Sequence, residues 1–117
     1  MDNIKKIKIE HFRNLVAVAI ADGYWHQNEK QLIAKKAKEF GIKEEDALEI
    51  IENAKDLMFM VPQNIVDREE QLSDAVHMAL VDGELHHKEY ELCVNIANRL
   101  GFSQRSVDQA IEMIRGK

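Results

Sequence analysis

The sequence predicts an all-α fold: a compact bundle of six helices, or seven, built from two tandem pseudo-symmetric three-helix repeats. Three observations carry that reading. One proline and five glycines in 117 residues are too few for the turns of an all-β chain. Apolar residues recur at spacings of three and four, which is the period of one helix face. The chain also repeats itself, without a gap, at an offset of 60 residues. That offset takes Asp22 to Asp82, Gly23 to Gly83, His26 to His86, Glu29 to Glu89, Leu32 to Leu92, Ala37 to Ala97 and Gly41 to Gly101.

The first helix carries a stripe of Phe12, Leu15, Val16, Ala19 and Ile20 and ends at Asp22-Gly23, where glycine suits a helix C-terminus. The second starts near His26 and is expected to bury Leu32, Ile33, Ala37 and Phe40. Gly41 stops it, with Ile42 placed to pack back as the apolar residue of a Schellman turn. The third opens on Glu44, Glu45 and Asp46, acids that suit the positive end of a helix dipole. It is expected to turn Ala47, Leu48, Ile50, Ile51 and Ala54 inward.

The second repeat has its stripes at Leu72–Leu80, Leu92–Leu100 and Val107–Ile114, with Ser103 as the expected N-cap of the last helix. Between the repeats, Leu57 to Val61 is too apolar for a solvated linker. Two readings stand for it: a connection pressed onto the core, or an exposed partner site. Neither repeat, about 1–57 and about 63–117, would bury its apolar faces alone, so one domain over 1–117 is expected.

Net charge is −5, with ten Lys/Arg against eleven Asp/Glu over 1–60 and six against ten over 61–117. Nucleic-acid binding calls for a basic face, which this balance argues against. A cation or a partner's basic surface suits the acidic surplus better. The single Cys93 excludes an internal disulfide framework and, between Leu92 and Val94, reads as a small core side chain. The start Met-Asp-Asn has no apolar h-region and the run Leu15 to Ala21 is too short to span a bilayer, so a cytoplasmic chain without membrane insertion is expected.

Asp-Gly-x-x-His-x-x-Glu is the candidate site. Gly23, Trp25 and Glu29, and likewise Gly83, Leu85 and Glu89, have the spacing of the back half of an EF-hand loop. The front half fails, because Val18 and Ile20, or Met78 and Leu80, stand where calcium ligands belong. Two readings remain. In the first, His26 and His86 are N-caps and Glu29 and Glu89 complete capping boxes, with Asp22 and Asp82 on turn amides and Leu85 against Tyr90 as a hydrophobic staple. In the second, Asp22, His26, Glu29, Asp82, His86 and Glu89 are ligands of a divalent ion of the zinc, manganese or iron class, with His87 as a seventh donor. Histidine is not a favoured cap, which is what keeps the second reading in play.

Ala21-Asp22-Gly23 followed by Glu29, after an apolar helix and before an amphipathic one closing in Phe40-Gly41, resembles the tellurite-resistance TerB family. That family includes the N-terminal domain of the membrane-anchored co-chaperone DjlA. The resemblance covers nearly the whole chain and implies a compact all-α fold, a non-enzymatic role in stress response and a metal-associated acidic centre. Asp22, Gly23, Glu29, Asp82, Gly83 and Glu89 carry it; His26 and His86 depart from it, since the family commonly has Ser or a similar cap there.

No phosphate loop or nucleophile elbow is present, and Ser73, Ser103 and Ser106 lack a nucleophile's surroundings. His11 and His77 read as helical histidines, and Trp25 as a buried aromatic or, with Tyr24, a site guard. The functional expectation is a non-catalytic stress-response domain binding a divalent metal or a protein partner through the two signature turns. The alternatives are a pure interaction scaffold and a small metal-dependent hydrolase or oxidase.

Overall fold

The computed structural model describes the backbone of residues 2–21, 27–81 and 83–116, with side chains over 6–21, 30–81 and 83–116. The described residues form six α-helices and no strand: α1 (Asp2–Ala21), α2 (Gln27–Phe40), α3 (Glu44–Glu52), α4 (Ile65–Ala79), α5 (His87–Arg99) and α6 (Gln104–Arg115), with one short 3-10 turn at Ala54–Asp56 after α3. The all-α, six-helix reading is therefore correct. No helix among the described residues is long and apolar enough to cross a membrane. The chain divides into two compact units, Met1–Phe59 and Met60–Lys117, with the boundary inside the apolar connection.

In the first unit α1 packs on α3 and the 3-10 turn, and α2 packs on α3. Phe12, Leu15, Val16 and Ala19 are buried as their spacing predicts, but so are Asn14, Ala17 and Val18. The Val16-Ala17-Val18-Ala19 run has no polar face to offer water, so the buried strip is wider than one stripe. Ile33, Ala37, Ala47, Ile51 and Ala54 join it. Leu32, Phe40 and Ile50 are only half-buried, and Leu48 departs from its expected inward place at 42% exposed.

The α2–α3 corner shows why the glycine is there. Gly41, at φ +108°, donates to Lys38 O at 3.1 Å while Ile42 donates to Ala37 O at 2.9 Å, the paired bonds of a Schellman turn. Sixty residues on, Gly101 donates to Asn98 O at 3.1 Å and Phe102 to Ala97 O at 2.8 Å. A second pair at the same offset was not anticipated. Lys8 Nζ donates to Phe40 O at 3.0 Å and lies 4.6 Å from the Phe40 ring centroid, placing a cation on the negative end of α2. Its counterpart Arg68 reaches Pro62 O at 2.8 Å and Gln63 O at 3.0 Å, with a guanidinium nitrogen beside Gly101.

In the second unit α4, α5 and α6 pack on one another pairwise. Val76, Ile96 and Val107 are fully excluded from water, and each contributes about 1.5–3 kcal/mol by burial. Cys93 is buried with its thiol 3.8 Å from Ala75 O, the small core side chain expected. Helix α4 begins on Asn64, whose side-chain oxygen accepts from Val66 N–H at 2.7 Å. Ser103 stands at the N-cap of α6 with extended backbone, but its side chain makes no capping bond. Along the connection exposure alternates: Leu57 and Phe59 are half-buried, Met58 and Met60 exposed.

Candidate functional site

The second copy of the signature is described from Gly83 onward, while Asp82 lies outside the described residues, as do Asp22, Gly23 and His26 and the side chain of Glu29. Gly83 adopts φ +83° and its N–H donates to Leu80 O at 2.9 Å. Nothing stands within 4 Å of where a Cβ would be, so the left-handed backbone alone selects glycine. Three residues later His86, at φ −80° and ψ 149°, is the N-cap of α5, and its carbonyl receives the first helical bond from Tyr90 N–H at 3.0 Å.

Glu89 sits at the third helical position, 8% exposed, and its Oε1 accepts from the His86 N–H at 3.2 Å. This is the capping box that the Glu spacing predicts. The imidazoles face outward. His86 Nε2 lies 3.7 Å from Glu84 Oε1, and His87 Nε2 lies 2.9 Å from Glu91 Oε2 one helical turn on. These pairs are well exposed, and water screens them.

The structure thus brings together His86 and Glu89 of the six candidate ligands, with the Glu89 carboxylate accepting from the His86 amide in the capping box. Glu89 has one carboxylate oxygen committed to that amide. Among the described residues no group of three His, Cys, Asp or Glu side chains is placed to hold a metal ion. Elsewhere His77 Nδ1 lies 2.9 Å from Ser73 O, its own turn of α4, and 3.3 Å from Ser73 Oγ. That bond ties the exposed ring back to its helix, as the reading of His77 as a helical histidine expects.

A different feature distinguishes the two units. Between α2 and α3 lies an open groove of about 770 Å³. Ala34, Leu48 and Ile51 are its apolar lining, Lys30, Lys35 and Lys38 line its α2 side, and Glu44 and Glu52 its α3 side. At the matching place in the second unit a hydrogen-bonded bridge joins α5 to α6. Tyr90 Oη donates to Asp108 Oδ1 at 2.7 Å and accepts from Gln104 Nε2 at 2.8 Å. Donation to the Asp108 carboxylate, aided by partial desolvation, holds the Tyr90 phenol above its ordinary pKa, against a smaller opposing pull from Gln104.

Subtracting 60 turns Tyr90, Gln104 and Asp108 into Lys30, Glu44 and Leu48, which cannot make that bridge. Composition alone gave no sign of the groove. Comparing the two repeats position by position would have found it. No family model matches the sequence, and no curated protein or solved structure matches it either.

Proposed function

We propose that this chain is a non-catalytic helical binding domain, TerB-like in its duplicated signature, that takes a protein partner on its first unit. The single observation that carries the reading is the groove between α2 and α3, open where the second unit is bridged by Tyr90, Gln104 and Asp108. An apolar floor flanked by charged walls is what a docked protein segment requires. In the described copy the signature turn serves this reading as the fixture that starts α5. There the Glu89 carboxylate is buried and accepts from the His86 amide. A role in stress response follows from the resemblance.

The test is affinity capture with mass spectrometry from the source cell, comparing the wild-type chain with a triple variant, Lys30→Tyr, Glu44→Gln and Leu48→Asp, that carries the second unit's bridge. A protein held by the wild type and lost by the equally folded variant is the expected result. Metal-dependent turnover of a phosphoester or peroxide that disappears in His86→Ala would replace this reading with the hydrolase or oxidase alternative.

A further inference from the structure

The charge of the groove identifies the kind of segment that fits it, resting on the reading of the groove as a protein site. We infer that the α2–α3 groove receives an amphipathic helix with an acidic edge. Lys30, Lys35 and Lys38 stand on one side of α2 along the groove, and their counterparts at the 60-residue offset are Tyr90, Asn95 and Asn98, all uncharged. The unit whose groove is open is therefore the one that lines it with lysines.

The floor differs in the same sense. Ala34 replaces Val94, which widens the groove, and Leu48 replaces Asp108, which makes its wall apolar. Leu48 is 42% exposed, an uncovered leucine between two helices. Glu44 and Glu52 hold the opposite wall, so the pattern of charge has a direction. An incoming helix with apolar residues at i, i+3 or i+4, and i+7 would lay them on Ala34, Leu48 and Ile51. Its acidic edge would face α2 and a basic residue on the other edge would face α3. Reversing that helix's charges would set acid against Glu44 and Glu52 and base against three lysines, a juxtaposition that selects against wrong partners.

The experiment is a displayed library of helical peptides, about four turns long, with apolar positions kept and flanking positions randomised, selected on the full chain. The Lys30→Tyr, Glu44→Gln, Leu48→Asp variant serves as counter-selection. Enriched peptides are expected to carry acid on one edge. The best of them, labelled and followed by fluorescence anisotropy, is expected to bind at least tenfold more weakly to the triple variant and to a Lys35→Asn, Lys38→Asn variant. Lys35 and Lys38 are both exposed, so the double variant tests charge without touching the core.

Enrichment of neutral or basic peptides that still need Leu48 would overturn the acidic partner and leave the groove as a protein site. Absence of any enrichment on the wild type over the triple variant would overturn both. Displacement of the bound peptide by a single-stranded oligonucleotide at equal concentration would assign the lysine row to phosphates and overturn the inference as well.

Discussion

Replacing Glu89 in two ways separates the structural and the metal readings of the signature. The carboxylate is 8% exposed and accepts from the His86 N–H at 3.2 Å. Glu89→Ala leaves that amide without its acceptor at the start of α5 and removes part of a buried side chain. Capping contributions of this kind run to about 0.5–2 kcal/mol, and we expect a loss of about 1–2 kcal/mol. For a chain of this size that corresponds to a fall in Tm of roughly 3–10 °C, read by calorimetry. Glu89→Gln keeps an oxygen acceptor in the same place, and glutamine serves in capping boxes as glutamate does. Its loss should stay under about 0.5 kcal/mol. A Glu89→Gln variant as unstable as Glu89→Ala, with the deficit abolished in chelator-treated protein, would refute the structural reading and show that the carboxylate's charge holds an ion. A harmless Glu89→Ala would refute the capping box itself.

Three further outcomes follow from the geometry. Lys8→Met keeps the stem over Phe40 but removes the ammonium from the Phe40 carbonyl, and urea denaturation should show a loss of about 1 kcal/mol; an unchanged midpoint would mean the contact carries no net stability. The raised folded-state pKa of Tyr90 means that its stabilising effect is complete below the phenol's ordinary range and fades as pH rises through the folded value. In a Tyr24→Phe background phenolate absorbance should therefore rise late, and Asp108→Asn should bring it earlier. Chelator-stripped protein should keep its Tm, since one Glu89 oxygen already has its amide; a rise in Tm on adding zinc or manganese that vanishes in an Asp22→Ala, Asp82→Ala variant would establish the metal reading instead.

The helices and their ends were legible because each rests on local chemistry. Ala37, Gly41 and Ile42 form a Schellman turn by their own dihedrals and spacing, and Ala97, Gly101 and Phe102 repeat it. Glu89 capping α5 was legible for the same reason. Leu48 was misjudged because helical periodicity states which residues share a face and not whether another element covers that face. Ser103 was right in place and wrong in bonding, since residue type sets a preference for the cap position while the side-chain rotamer decides the bond. Lys8 over Phe40 escaped because its partner lies 32 residues away, a contact that no local window contains.

A duplicated chain also carries an internal control that a single copy lacks. Positions where both copies keep the same chemistry report what the three-helix unit needs: Ala37 and Ala97 under the Schellman turn, Gly41 and Gly101 in it, Lys8 and Arg68 beside it. Positions where the copies part have been released from that common requirement in at least one of them. Lys36 is buried to 1% exposure in the first unit where Ile96 is buried in the second, so the second copy fills that position with an apolar side chain. Lys36 lies on α2, the helix that also places Lys30, Lys35 and Lys38 along the groove. Four lysines on one helix, where its counterpart α5 has Tyr90, Asn95, Ile96 and Asn98, are not explained by the needs of a helical unit that folds without them in the second copy. The asymmetry therefore falls on the helix that lines the open groove, and that is where the functional difference between the units belongs.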